Sequence, residues 1–335
     1  MMSTIARRTF GAGIAGALGL TLVACNRGTD SAGGGSDGGG ETAGSSSGPS
    51  IAIISKGFSQ QFWVTVRDGA FAAAEELGAQ VSFDGPDTES DVEQQIQQLQ
   101  TALNGSPDAI AYAALDSEAS LPLLEQAQSA EIPVIAFDSG VESDIPVSTV
   151  ATDNAAAAAE AAKKMIELVG EEGSIAVIAH SQTSLTGVQR RDGFVEHIEN
   201  NSSLTIADIQ YSESDVLEAT NATNAILQAH QDLVGIFATN EASAIGMVTA
   251  IDELGRKDGL IVLGFDSGQG QLDAIRDGRM EGAVTQDPYD IGYKTVETAL
   301  AAINGEEVEL EVDTGYYFYD ETNMEEEEIA RSLYE

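Results

Sequence analysis

Two aspartates sit in the same four-residue phrase. Asp138 lies in Phe137-Asp138-Ser139-Gly140, after the apolar run 132–136, and Asp266 lies in Phe265-Asp266-Ser267-Gly268, after the apolar run 260–264. A carboxylate at the end of a buried strand can accept hydrogen bonds from ligand hydroxyls. Paired with a second carboxylate, it can also move protons in glycoside cleavage. Ligands of open α/β sheets bind outside the carboxyl ends of the strands. That rule adds Ser55 to Trp63, Asp116, His180 to Ser184, Asn240 and Gln286 as candidates. Carboxylates, amides and aromatics in this mixture suit a neutral, polyhydroxylated ligand. The polar groups exchange hydrogen bonds with hydroxyls, and an aromatic face covers apolar C–H groups. Nothing marks a nucleophile, so an exported carbohydrate-active enzyme is the lesser alternative, and no catalytic residue, cofactor or metal is expected. No G-x-G-x-x-G follows the first strand, which leaves dinucleotide chemistry unsupported. Gly34 to Gly38 satisfies G-x-S-x-G, but without the strand and helix that a nucleophile elbow requires.

The phrase belongs to a longer duplication. Ile51–Ser55 matches Ile175–Ala179, Ser90-Asp91-Val92 matches Ser214-Asp215-Val216, and Asp108 matches Asp232, all 124 residues apart. A repeat of that length is a domain. Short Val/Ile/Ala runs alternate with helix-period segments. Strands are predicted at 51–55, 80–83, 109–113, 133–137 and 148–151, then at 174–179, 205–210, 234–238, 260–265 and 282–285. Continuous apolar runs, rather than strict alternation, indicate strands buried on both faces, as in parallel sheets. Val66, Ala70, Ala73 and Leu77 form one helical stripe, stopped by Gly78. Val92, Ile96, Leu99 and Leu103 form another behind a Ser90 or Asp91 cap. The predicted fold class is α/β: two similar doubly wound parallel-sheet lobes, with one aspartate on each wall of the cleft between them.

Each candidate also has a plainer reading. Asp138, Asp266, Asn240 and Asp116 are all placed to cap helices, Trp63 to fill a core, and His180 to serve structure or hinge. The repetition and the shared cleft favour ligand contact for the two aspartates.

In their order along the chain, Ser55-Lys-Gly, Phe62-Trp63, Pro133–Asp138, Ala151-Thr-Asp-Asn154, Gln189-Arg190, Gly193-Phe194, Ile236–Asn240, Gly264-Phe-Asp266, Gln286–Tyr289 and Asp313-Thr-Gly315 resemble the periplasmic sugar-binding proteins of ATP-driven (ABC) importers. The resemblance is to the ribose/galactose-binding group, related to the ligand-binding domain of LacI-type repressors, and it spans about residues 50–322. It implies a periplasmic binding protein fold of type I, whose chain crosses between lobes three times. The implied lobes are 50–152 with 287–312, and 153–286 with 313–335. It further implies that Phe62 and Trp63 stack on a sugar and that Asp138 accepts hydroxyl bonds. Arg190 reaches the ring or anomeric oxygen, and Asn240, Asp266 and Gln286 complete a polar ring with Gln60. Lys56, Ser139 and His180 are further candidates. Gln60, Ser139 and Ser214 depart from the ribose pattern, which bears on which sugar is bound rather than on the class.

The ends carry address information. Residues 1–25 read as a lipoprotein signal peptide, with Arg7-Arg8, an apolar core, and Leu22-Val-Ala-Cys25 as a lipobox. Cys25 is the sole cysteine, so it is the expected lipid-attachment site, and an intrachain disulfide is excluded. Residues 26–49, rich in Gly and Ser, read as a flexible tether. Fifty-five acidic against fifteen basic residues give a net charge of −40, which argues against nucleic acid as a partner. The combined expectation is a monomer tethered to the outer face of the cell membrane. It passes a sugar or polyol to an ABC permease or, as the alternative, serves as a receptor for chemotaxis or signalling.

Overall fold

Uninterrupted apolar runs bury both faces of a strand only if helices cover both sides of the sheet, and two such sheets form. The computed structural model describes residues 48–334. The signal segment, Cys25, Gly34–Gly38, the tether up to residue 47 and Glu335 lie outside the described residues. The first sheet holds β1 (Ser50–Ile54), β2 (Gln80–Asp84), β3 (Ala109–Tyr112), β4 (Val134–Phe137), β5 (Ser148–Ala151) and β11 (Glu311–Asp313), in the order β11-β5-β4-β3-β1-β2. The second holds β6 (Glu172–Ala179), β7 (Ser203–Tyr211), β8 (Leu233–Ala238), β9 (Ile261–Phe265), β10 (Gly282–Gln286) and β12 (Tyr316–Tyr319), in the order β12-β10-β9-β8-β6-β7. The same winding occurs twice, as the repeat predicts. The last strands differ: β11 pairs parallel to β5, and β12 pairs antiparallel to β10. Neither was among the predicted strands. Both are short edge strands: β11 carries no apolar run of its own, and β12 is the aromatic run Tyr316 to Tyr319.

Helices α1 (Gln61–Leu77), α2 (Val92–Asn104), α3 (Leu121–Ser129) and α9 (Pro288–Ile303) cover the first sheet. Helices α4 (Asn154–Val169), α5 (Leu185–Asn201), α6 (Val216–Ala229), α7 (Glu241–Leu254) and α8 (Gln269–Arg276) cover the second, and α10 (Glu327–Ala330) closes the chain. Val66, Ala70 and Ala73 of α1 are buried as their spacing predicts. Leu77 is 42% exposed, because the helix ends there on Gly78 at φ 74°, a left-handed conformation that costs glycine little. In α2 the fully buried positions are Gln95 and Leu99, and the rest of its predicted stripe is only half-buried.

The chain passes between the sheets three times: from β5 to α4, from β10 to α9, and from β11 to β12. These segments form the side of the cleft opposite its mouth. Thr152 Oγ1 donates to the Gly315 carbonyl across two of them at 3.3 Å.

Candidate ligand-binding cleft

The carboxyl ends of both sheets face one another, and local geometry aims their side chains inward. Asp138 and Asp266 follow β4 and β9 with φ values of 54° and 77°. Non-glycine residues rarely take this left-handed conformation, and Asp is among those that tolerate it. Each aspartate N–H donates to the neighbouring strand, Asp138 to Val150 O at 2.9 Å and Asp266 to Val284 O at 2.6 Å. The repeated phrase therefore encodes a repeated turn. At the end of β1, Lys56 is positioned by a buried amide. Gln95 Nε2 donates to the Ser55 and Ala113 carbonyls, both at 2.8 Å, and its Oε1 accepts from the Tyr112 hydroxyl at 2.7 Å. All of its bonding capacity there is used inside the protein, which pins the ends of β1 and β3 together.

Lys56, Gln60, Phe62, Trp63, Glu89, Asp138, His180, Arg190, Asn240, Asp266 and Gln286 line one cavity. The space left between them is about 10 Å³, room for about one water molecule, so the two walls stand almost in contact. Trp63 and Phe62 pack edge to face with ring centroids 4.9 Å apart, and Trp63 packs on Phe137 in the same manner at 6.2 Å. Tyr334, near the chain's end, closes over Phe62 at 6.1 Å.

The charges are paired. Lys56 Nζ lies 2.9 Å from Asp138 Oδ2, and Arg190 Nη1 lies 3.7 Å from Asp266 Oδ2. Arg190 is held further by Nε donating to Asn154 Oδ1 at 2.7 Å, by Nη1 donating to the Thr239 carbonyl at 3.0 Å, and by stacking on Phe265 at 3.8 Å. Its neighbour Arg191 points away, to Asp192 and the Tyr211 hydroxyl. Asp266 also accepts from Gln286 Nε2 at 2.8 Å and from Glu241 N at 3.0 Å. Burial raises its pKa against the pull of Arg190 and these bonds. His180 is held well below the ordinary histidine range by burial and by the cations Arg190 and Lys56, so its ring is neutral. Its Nδ1 pairs with Thr239 Oγ1 at 2.8 Å. Gln286 Oε1 is buried without a partner in the protein. The cleft thus presents compensated charges and a free acceptor rather than an unpaired cation. That is an environment for a neutral hydroxylated molecule, not for an anion.

Away from the crossing segments, bonds also join the two walls of the cleft. Lys56 Nζ donates to Thr186 Oγ1 at 3.2 Å, Ser214 Oγ to Glu89 Oε2 at 2.8 Å, and Ser117 N to the Thr183 carbonyl at 3.0 Å.

Several candidates carry double duty. Asn240 lines the cavity and also caps α7, its Oδ1 accepting from Ser243 N at 2.9 Å while Nδ2 donates to Ser214 Oγ at 3.1 Å. Asp116 caps no helix and lies outside the cavity lining; it accepts from Glu118 N and Ala119 N in the turn ahead of α3. Ser139 is a correction. Its side chain is fully buried, without a hydrogen-bond partner, and outside the cavity lining. The left-handed turn that aims Asp138 into the cleft sends the next side chain away from it. Glu89 went unpredicted. Its Oε1 accepts from Gln60 Nε2 at 2.7 Å and Trp63 Nε1 at 2.6 Å, which sets both rings and amide. A signal existed: the Ser-Asp-Val match extends back one residue, to Glu89 and Glu213. Asn154 and Thr186, which position Arg190 and Lys56, carried no such signal.

Known proteins share this architecture. A family model for a periplasmic binding protein domain matches residues 51–307. The ribose import binding protein of Escherichia coli (strain K12) is 26% identical over 259 residues, covering 77% of this chain and 86% of that protein. A solved ABC transporter solute binding protein from Agrobacterium vitis, with bound D-fucose, is 38% identical with a TM-score of 0.82, covering 85% of this chain and 100% of that one. A carbohydrate transporter solute binding protein from Agrobacterium radiobacter, in complex with D-arabinose, is 32% identical with a TM-score of 0.83, over 86% and 100% of the two chains. With the matched model spanning most of the folded residues, the chain belongs to the periplasmic binding protein family.

Proposed function

We propose that this protein is an exported solute-binding protein that captures a neutral monosaccharide or related polyol between its lobes and delivers it to an ABC importer. The observation that carries this reading is the ring of Asp138, Arg190, Asn240, Asp266 and Gln286 beside Phe62 and Trp63, with every cation paired and Gln286 Oε1 free to accept. Relatives solved with D-fucose and D-arabinose support the sugar class. Asp138 and Asp266 accept hydroxyl protons from opposite walls, Arg190 and Lys56 donate, and the aromatic pair covers the ring's C–H face. Closure excludes water, which strengthens each of these bonds, and the ligand biases the closed population because it touches both walls only there. The lobes are residues 50–152 with 287–312 and 153–286 with 313–335, and the three crossings serve as the hinge. Cys25 carries the lipid that holds the monomer at the outer face of the membrane. Mass analysis of the mature protein tests the anchor, with a lipid-sized increment expected on Cys25 and lost in Cys25→Ser.

A thermal-shift screen against D-fucose, D-arabinose, D-ribose, D-allose, hexoses and polyols tests the ligand class. A ligand of the folded state raises stability by about 2.7 kcal/mol at a hundredfold excess over Kd. A clear shift with one neutral sugar family is expected. Shifts confined to charged or non-sugar solutes contradict the reading.

A further inference from the structure

Among the described helices of thirteen residues or more, all but one begin on a side-chain cap. Asp91, Asp153, Ser184, Asp215, Asn240 and Asp287 each accept from the backbone N–H three residues on. The exception is α1, 17 residues long, which bears Phe62 and Trp63 in its first turn. Its N-cap Gln60 makes no capping bond, because its amide donates to Glu89, and the first turn holds no acid. Trp63 N donates to the Gln60 carbonyl at 3.3 Å, but the N–H groups of Gln61 and Phe62 lack an acceptor within their own lobe.

The opposite lobe supplies one. Glu241, in the first turn of α7, lines one cavity with Ser59 and Gln60 just ahead of α1, and the N–H groups of Gln61 and Phe62 act on its carboxyl. Glu241 is 7% exposed, and its Oε2 is buried without a hydrogen-bond partner in the protein. The two cleft cations pair with Asp138 and Asp266 instead. Gly268 makes the room, since a Cβ there would sit 2.5 Å from Glu241 Oε1.

We propose that Glu241 is a positioning residue that latches the lobes: closure lays its carboxyl over the uncapped first turn of α1, fixing Phe62 and Trp63 against the ligand. The latch rests on the reading of the cleft as a ligand site that closes. Every titratable group facing Glu241 is acidic or neutral: Asp266 and Glu89 in the cavity, Glu213 and Asp215 at its mouth, and Tyr319 and Tyr334 behind it. Burial and Asp266 push its pKa from 4.5 up to about 7, against the pull of the two N–H groups. A neutral carboxyl still offers its carbonyl oxygen to α1. In the open form the group is solvated and takes its ordinary value. Below pH 4.5 it is protonated in both forms, and closure is independent of pH. From pH 4.5 to about 7 closure takes up a proton, so it weakens as pH rises. Above that range closure stays at its weaker level.

Trp63 is the sole tryptophan and is 1% exposed with the lobes together. Because Trp63 also packs in the core of its own lobe, acrylamide quenching of its fluorescence is read beside the radius of gyration from small-angle scattering, which reports closure in the whole chain, with or without sugar. Wild type should quench more readily at pH 8.5 than at pH 5.5. Glu241→Gln, a mimic of the neutral carboxyl, should stay protected at both. Glu241→Ala and Gly268→Ala should quench readily at both. With D-fucose as probe, wild-type affinity should fall about thirtyfold over the same range, each pH unit between 5.5 and about 7 being a factor of ten, while Glu241→Gln stays flat. Circular dichroism confirms that each variant is folded. Equal quenching of wild type, Glu241→Gln and Glu241→Ala at both pH values overturns the latch, and so does a Glu241→Gln profile that follows wild type. If wild type binds no sugar yet shows the quenching pattern, the sugar reading fails and the latch stands.

Discussion

The two lobes share a backbone and differ in chemistry. Asp138 and Asp266 take the same left-handed turn and the same bond to the adjacent strand. Their surroundings diverge. Asp138 meets one cation, Lys56, and the aromatic pair of α1. Asp266 receives Arg190, the Gln286 amide and the Glu241 N–H, and its own carbonyl accepts from the Tyr319 hydroxyl at 2.8 Å. Duplication preserved the turn that aims a carboxylate into the cleft. Divergence then made one wall an aromatic platform and the other a hydrogen-bonding network. A ligand with one C–H face and several hydroxyls needs both.

This contrast can be broken most sharply at its richer side. Asp266→Ala leaves Arg190 and Gln286 buried without their partner. It should destabilise the fold by about 3–5 kcal/mol, more than Asp138→Ala, as read by denaturant unfolding. Equal losses would mean that the two aspartates are equivalent after all. Trp63→Ala removes a core side chain from the aromatic wall and should cost about 3–5 kcal/mol. Trp63→Phe should cost far less in stability, leaving any loss of sugar affinity to report stacking. Gln95→Leu frees the ends of β1 and β3 and strands the Tyr112 hydroxyl, for an expected loss of about 1–3 kcal/mol. Its counterpart 124 positions on is Ala219, so the second lobe does without this device. The smallest effect belongs to both lobes equally. With a net charge of −40, self-repulsion should be screened by salt, and the melting temperature should rise between about 0.1 and 1 M NaCl.

Much of this was legible because it is local or repeated. The strand positions, the repeated aspartate phrase and a cap at Ser90 or Asp91, which the structure places at Asp91, follow from apolar runs and short matched segments. What escaped the sequence depends on contacts across long separations. Thr186 became relevant only when α5 came to lie opposite Lys56, 130 positions away. Asn154 did so by meeting Arg190, and Glu89 by meeting Trp63 and Ser214. The strand β11 was missed because three edge residues carry little pattern of their own, whereas β12 offered a signal in its aromatic run, Tyr316 to Tyr319. Spacing does not reveal that Ser139, next to the positive φ of Asp138, lies buried outside the cavity lining.

The most direct test of a two-walled sugar site is calorimetric titration of wild type, Asp138→Ala and Asp266→Ala with the neutral sugar that stabilises the protein most. The expected result is one site per chain in wild type, with affinity reduced at least about tenfold by either substitution, since a hydrogen bond to a charged group contributes about 1.5–3 kcal/mol. Unchanged affinity in either folded variant would contradict the account, because the ligand would then be held by one lobe alone.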